Sequence, residues 1–296
     1  MHRCACNAVS LCNGQAAAMP ARAAAPPVVV PEPTRSAAPA GASGRSVLIL
    51  GGTSAIAVAI AEALLGQQSG PVVVAARDLD RAEVVADRLR SAGATEAFTI
   101  RFNGAEVHEA ERVVAEAVQL LKRVDVVIVA FGNYVDSDGL AGDLEATLDL
   151  VTLNFLGAIA VGEALTDVLR SQRSGRIIAV SSRPNGWTME HAGTYAASKA
   201  GFDTYFASLA VSLRPVGADV LVIRPPGVNT PLIENHSSFL TPEEVAVEVV
   251  QAFSDGMAEL TILSREERRL ARRSFPRKLL GRVRRDMRKV SRRIGV

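Results

Sequence analysis

Ser46-Val47-Leu48-Ile49-Leu50-Gly51-Gly52-Thr53-Ser54-Ala55-Ile56-Ala57 is the stretch that decides the fold. A short apolar run ends in glycine, as a buried parallel strand does, and a helix opens directly behind it. Strand, glycine turn and helix in that order form a phosphate-binding turn, because amides at a helix N-terminus can hold a pyrophosphate. Gly51, Thr53, Ser54 and Ile56 are the expected contacts. The later glycines of the usual dinucleotide fingerprint are Ala55 and Ala57, which fit if their φ is negative. A plain strand–turn–helix is the competing reading of the same residues.

Outward from this stretch, apolar runs alternate with helical patterns. Further strands are expected at Pro71–Ala76, Thr95–Phe102, Val124–Ala130, Gly175–Ser181, Ala218–Arg224 and Leu260–Leu263. Helices are expected at Ala55–Leu65, Leu79–Ala92, Glu106–Lys122, Asp143–Ser171, His191–Arg214 and Thr241–Ser254. Wholly apolar strands separated by helices predict an α/β fold, a Rossmann-like doubly wound parallel sheet in a single domain. Right-handed crossovers bring the strand C-terminal ends to one rim, so the turns after Leu50, Ala76, Phe102, Ala130, Ser181 and Arg224 should form the site.

Two chemical signals fall on that rim. Tyr195 and Lys199 lie at i and i+4 of one expected helix, so phenol and ammonium share a face. A fixed cation favours the phenolate, and a hydroxyl from Ser182, thirteen residues upstream, completes a group able to hand a proton to a carbonyl oxygen. A core tyrosine beside a snorkelling lysine is the plainer alternative. The second strand ends Ala75-Ala76-Arg77, where an NAD enzyme would carry an acid for the ribose hydroxyls. Arg77 suits a 2′-phosphate instead, unless it is a surface charge pairing with Asp78 or Asp80.

The 296 residues divide into three parts by composition: an Ala/Pro-rich extension at 1–45, read as disordered or as sequence upstream of a later start at Met19, a folded domain at 46–263, and a basic tail at 264–296. Nearly half of the residues are hydrophobic, which excludes a disordered chain, and no apolar stretch is expected to span a bilayer without interruption. The N-terminus has no long apolar segment of the secretory kind. All three cysteines, Cys4, Cys6 and Cys12, precede the folded part, so it has no disulfide framework and no thiol nucleophile. Cys4-x-Cys6 with His2 could bind a metal, but an unstructured thiol tail is the preferred reading, and no metal site is assigned.

With the glycine turn, the alternation and Ser182/Tyr195/Lys199 in place, the chain resembles the short-chain dehydrogenase/reductase family over about Ser46–Leu263. The resemblance implies an NAD(P)-dependent oxidoreductase. Tyr195 then corresponds to the catalytic acid/base, Lys199 to the residue that lowers the Tyr pKa and holds the nicotinamide ribose, and Ser182 to the group that orients the carbonyl. Asn154, in Leu153-Asn154-Phe155-Leu156-Gly157, corresponds to the helix asparagine that relays protons through water; a purely structural asparagine is its alternative. Pro225, Val228 and Thr230, in Pro225-Pro226-Gly227-Val228-Asn229-Thr230, correspond to the loop over the nicotinamide. Two departures concern the adenine end: Val129-Ala130-Phe131-Gly132 stands where the family has Asn-Asn-Ala-Gly, and Asn103 where it has Asp. Ala130, Gly132 and Asn103 remain cofactor-binding candidates. NADPH is the expected cofactor, with NADH as the second. Asn185, Trp187 and His191 line the substrate mouth, or else are packing or surface residues.

Within the family, Leu50–Ser54, Val126–Gly132, Arg176–Ser182, Val222–Thr230 and the segment around Arg277-Lys278-Leu279-Leu280 are similar to a branch that reduces a 2-keto pentose on decaprenyl phosphate in cell-wall arabinan precursor synthesis. That resemblance implies a flavoprotein oxidase as partner. A soluble reductase of another ketone or a 3-oxoacyl substrate, and a non-catalytic nucleotide-binding scaffold, are the competing functions.

Charge is uneven. From Arg265 onward there are fourteen Lys/Arg and three Asp/Glu, net +11, against nineteen and twenty-eight in the remaining 264 residues, net −9. Leu279, Val283, Met287, Val290 and Ile294 form an apolar stripe with basic flanks, and Pro276 suits the first turn of such a helix. A basic amphipathic helix suits an anionic membrane surface, which would place a cytoplasmic enzyme peripherally on the inner face of the plasma membrane. Packing against protein and a solvated tail are the alternatives. The tail lacks interleaved aromatics and the body is acidic, which argues against nucleic acid. A homo-oligomer is compatible with the sequence.

Overall fold

The computed structural model describes residues 44–183, 191–230 and 239–274. Seven parallel strands form one sheet in the order β3-β2-β1-β4-β5-β6-β7, with β1 Val47–Leu50, β2 Gly70–Ala76, β3 Ala94–Arg101, β4 Val126–Val129, β5 Arg176–Val180, β6 Asp219–Arg224 and β7 Glu259–Thr261. Every strand expected from the sequence is present. Helices α1 Ala55–Gln67, α2 Leu79–Ser91, α3 Ala110–Leu121, α4 Leu144–Val151, α5 Gly157–Gln172, α6 Gly193–Leu213, α7 Pro242–Ser254 and α8 Arg265–Ser274 connect and follow them. The expected first part at 1–45 and the apolar stripe of the tail lie outside the described residues, apart from Gly44 and Arg45.

The strand sequences explain the layering. β1 and β4 are buried along their whole length, and successive side chains go to opposite faces. Val47 and Ile49 join one core with α1, α2 and α7; Leu48 and Leu50 join the other with α3, α5 and α6. β1 pairs with β2 through Val47↔Val72 and with β4 through Val47↔Val126. The chain order reverses direction between β1 and β4, and that switch point opens a crevice at the strand C-terminal ends.

Helix starts follow local chemistry. Ser54 and Asp78 cap α1 and α2, accepting from the Ala57 and Arg81 amides. Thr241 and Glu244 form a reciprocal capping box with Pro242 in the first turn of α7. The expected helix at Asp143–Ser171 is α4 and α5 joined by a π-helical segment, Thr152–Leu156. By length and composition this rod, Leu144–Gln172, is apolar enough to span a bilayer, contrary to the sequence expectation. Its Ala158, Val161, Leu165 and Leu169 are instead packed in the core beside the sheet.

Candidate active site

All six expected turns converge on one cleft of about 410 Å³. Gly51, Thr53, Ser54, Ala55 and Ile56 line it after β1, and Arg77 after β2. Ala130 and Gly132 follow β4, Ser181 and Ser182 follow β5, and Pro225, Val228 and Thr230 follow β6. Tyr195 and Lys199 project into it from α6.

The glycine turn is tight for steric reasons. Gly51 has φ +88°, and a Cβ there would sit 2.6 Å from the Phe131 amide nitrogen. A Cβ on Gly52 would meet Val74 Cγ1 at 2.3 Å. Among the described residues only Lys122 and Arg173 are non-glycine residues with positive φ, so Ala55 and Ala57 fit without strain. Backbone therefore passes close to the first turn of α1, whose free amides favour an anion.

At the end of β2, Arg77 is exposed and makes no ion pair among the described residues. Asp78 spends its side chain as the cap of α2, accepting from the Arg81 amide at 3.1 Å, so it does not neutralise Arg77. Arg81 lines the same corner, one helical turn on, and escaped the sequence reading. Its cue was available: a residue three places after an N-cap returns to the strand end.

Asn103 does not reach the cleft. Its Oδ1 accepts from the Ala105 amide at 3.2 Å and its Nδ2 donates to Glu106 at 3.0 Å, which closes a local turn. Phe102 and Gly104 line the cleft in its place. Phe102 meets Phe131 edge-on at 5.2 Å, so the wall there is aromatic, the consequence of Phe131 in the post-β4 motif.

Asn154 lies in the π-helical segment and is fully buried. It stands behind the cleft wall. Its Oδ1 accepts from the Asn133 amide and its Nδ2 donates to the Asn133 carbonyl, each at 2.8 Å, and Nδ2 also donates to Ser198 Oγ at 3.3 Å. The segment is wound wide where α5 runs against the Gly104 loop: a Cβ on Gly157 would lie 1.9 Å from the Gly104 carbonyl oxygen. Asn154 thereby fixes the loop that carries Gly132 and Asn133.

Tyr195 is hydrogen-bonded to Ser182, which pairs the two hydroxyls at the cleft floor. Burial pushes the Tyr195 phenol above its ordinary value; the Ser182 bond acts against this, and the neighbouring Tyr134 adds to it. The expected lowering by Lys199 is not what the protein's own groups produce. Lys199 is itself buried, and burial lowers its ammonium to about 8, with Asp203 acting in the raising direction. Its Nζ lies 4.8 Å from the Phe202 ring centroid. Asp203 also accepts from Arg224, which bonds Glu259 at 2.9 Å. Asn185 and Trp187 lie outside the described residues; His191 is exposed at the start of the α6 region, its carbonyl accepting from the Ser137 amide at 2.6 Å.

Residues 45–240 match the family described as short chain dehydrogenase. An uncharacterised oxidoreductase from the mprA 5′ region of Streptomyces coelicolor is 33% identical over 218 residues, 71% of this chain and 85% of that protein. The Arabidopsis thaliana 11-beta-hydroxysteroid dehydrogenase-like 4A is 30% identical over 203 residues, 65% of this chain and 62% of that protein. An alcohol dehydrogenase of the archaeon Thermococcus sibiricus, solved with 5-hydroxy-NADP, superposes with a TM-score of 0.63 at 21% identity, covering 74% of this chain and 96% of its own, a likeness of fold. The sheet order, the glycine turn and the extent of the family match together establish that the chain belongs to the short-chain dehydrogenase family and is an oxidoreductase.

Proposed function

We propose that the protein is an NADPH-dependent carbonyl reductase in which Tyr195 and Ser182 hold the carbonyl oxygen. The observation that carries this is the hydrogen bond between those two hydroxyls on the floor of the cleft that begins at the Gly51 turn. The cradle at Gly51 and Gly52, where any Cβ would clash, fits a pyrophosphate. Arg77 and Arg81 fit a 2′-phosphate, which favours NADPH, with NADH the weaker ligand. When bound, the nicotinamide supplies a hydride to the carbonyl carbon.

The chain's own residues handle the oxygen and its proton. Ser182 Oγ donates to the carbonyl oxygen and fixes its direction. Tyr195 Oη donates beside it and gives up its proton as charge develops there. Because burial raises the Tyr195 pKa, the phenol is protonated at neutral pH, the form a reduction needs. The Lys199 ammonium lies one helical turn on and stabilises the phenolate left behind. Asn154, bonded to both backbone groups of Asn133, holds the wall in register. Pro225, Val228 and Thr230 close the far side.

The substrate class we favour is a 2-keto pentose carried on a polyprenyl phosphate, as in cell-wall arabinan precursor synthesis. It is supported by the phrases at Leu50–Ser54, Val126–Gly132 and Arg176–Ser182 and by the basic character of α8 and the residues after it. A lipid-linked substrate makes a peripheral position on an anionic cytoplasmic membrane face useful, and a flavoprotein oxidase that forms the ketone is the corresponding partner. The test is purified protein with NADPH and either a polyprenyl-phosphoryl 2-keto pentose or an acetoacetyl thioester. Reduction of the first and not the second is expected; reduction of the thioester alone would replace this substrate class with a soluble one.

A further inference from the structure

Lys199 and Asp203 stand at i and i+4 of α6, the spacing at which an ammonium and a carboxylate pair on a helix. No ion pair joins them among the described residues. Asp203 Oδ2 accepts from Arg224 Nε instead, and Arg224 Nη1 donates to Glu259 of β7 at 2.9 Å. Lys199 is buried, lines the cleft, and keeps its Nζ 3.3 Å from where a Cβ on Gly132 would be. Asp203 Oδ1 is buried and has no hydrogen-bond partner among the described residues. The carboxylate is thus an unsatisfied acceptor beside a buried ammonium, and Arg224 holds it short of Lys199.

A charge pair that is 20% exposed on each side contributes little more to stability than apolar side chains would. Its place gives it a different use. Arg224 is the last residue of β6, directly before the cleft-lining Pro225. Asp203 lies two turns beyond Tyr195 on the face that carries Lys199. A buried ammonium and a buried carboxylate one turn apart would close on each other if nothing else engaged the carboxylate. The charged and titratable groups around Lys199 are Tyr195 and Asp203 on its own helix, Tyr134 against Tyr195 from the loop after β4, Arg224 from β6, and Glu259 behind it from β7. Of these, Arg224 alone bonds Asp203.

We propose that Arg224 is a positioning residue: by engaging Asp203 it keeps the carboxylate from capturing Lys199, and so leaves the ammonium in the cleft beside Tyr195. This rests on the reductase reading above, in which Lys199 stabilises the Tyr195 phenolate. Arg224 itself touches no reacting atom.

The experiment follows the titration of Lys199 by NMR in the full-length protein, with lysine labelled with carbon-13 at Cε. The chain has four lysines, and the signal lost in Lys199→Arg identifies the one wanted. Arg224→Gln is expected to raise the Lys199 titration by about one pH unit or more, as Asp203 closes on it. Turnover is read with NADPH on the polyprenyl-phosphoryl 2-keto pentose or the acetoacetyl thioester, whichever the wild type reduces. It should fall about tenfold or more in Arg224→Gln, as the ammonium leaves the cleft. Adding Asp203→Asn should restore most of that loss, since no carboxylate is left to capture the lysine. An unmoved Lys199, or a double variant no more active than Arg224→Gln, would overturn the inference and leave a merely structural ion pair. Arg224→Lys, whose single ammonium cannot bridge Asp203 and Glu259 as the guanidinium does, should show the same changes to a smaller degree. If the glutamine variant does not fold, an unmoved Lys199 in Arg224→Lys overturns the inference in its place. The titration needs no turnover, so a shifted Lys199 alongside a wild type inactive on both ketones would count against the reductase reading and for the role of Arg224.

Discussion

Arg183 Nη1 and Nη2 lie 2.8 and 2.6 Å from the two carboxylate oxygens of Glu267, so the residue after Ser182 is clamped to the first turn of α8. Glu267 also closes a capping box with Ser264, and α8 is tied to α7 through Arg265–Glu244 and Arg268–Glu248. Ser182 itself is held by backbone: the Ser181 amide donates to Ile223 O at 2.9 Å and the Arg183 amide to Pro225 O at 3.1 Å. The ion pair therefore docks the C-terminal helix and does not aim the hydroxyl. Both side chains are partly exposed, 26% and 41%, so the pair contributes ~1 kcal/mol at most. Glu267→Gln should lower Tm by roughly 2–4 °C and leave kcat within about twofold. The Arg183 guanidinium and the bonds to Ser264 hold the Glu267 carboxyl at about 2. A folded value below the unfolded one places the contribution above pH 4.5, to be lost as pH falls toward 2. Hydrogen exchange in α8 on acidification, with and without the mutation, checks this; equal protection in both proteins throughout that window would refute it.

Tyr195→Phe removes the proposed proton donor and keeps the ring. The expected result is a fall in kcat of about 10²–10⁴-fold with unchanged NADPH binding by fluorescence titration. Ser182→Ala leaves the phenol without its bonded partner, which raises Tyr195 further, and should also cost turnover. Retained turnover in Tyr195→Phe would return the pair to an ordinary core tyrosine and serine.

On the proposed mechanism, kcat/KM should have an alkaline limb set by Lys199. Its ammonium titrates near 8 because it is buried, so stabilisation of the Tyr195 phenolate is present below that pH and lost as pH rises through it. Asp203 acts to raise Lys199, and Asp203→Asn should move the limb to lower pH. Tyr195, raised by burial, should not give an acid limb near neutrality. A profile flat from pH 7 to 9 in the wild type, or a limb that moves upward in Asp203→Asn, would remove Lys199 from this role.

The sheet was legible because β1, β2, β4, β5 and β6 are dominated by Val, Ile, Leu and Ala, as strands covered on both faces are, while the mixed β3 and β7 were placed by the alternation with helices. Tyr195, Lys199 and Ser182 were legible by spacing, and the cleft contacts by their places after strands. Three features depend on distances between segments remote in sequence. Asn103 stays out of the cleft because Ala105 and Glu106 satisfy its amide locally, which residue type alone does not disclose. Asn154 bonds a backbone twenty-one residues away. Tyr134 meets the Tyr195 ring edge-on from a loop remote in sequence. The electrostatics of Tyr195 and Lys199 reversed for a related reason: i,i+4 spacing predicts attraction between the groups, whereas burial, a property of the whole fold, dominates both.

On the proposed reading, cofactor choice is set at the end of β2. Arg77 is exposed, lines the cleft and has no acidic partner among the described residues, Asp78 being engaged by the Arg81 amide. A charge-assisted bond to a 2′-phosphate contributes about 1.5–3 kcal/mol when fully formed, and solvent screening at this exposed site reduces that toward the lower end. Arg77→Ala should therefore weaken NADPH binding about tenfold and leave NADH binding unchanged, with Arg77→Ala/Arg81→Ala weakening NADPH further. Raising the salt concentration should narrow the difference between wild type and variant for NADPH alone. Equal weakening of both nucleotides would mean that Arg77 supports the turn and not the phosphate, and no effect on either would make it a solvated surface charge.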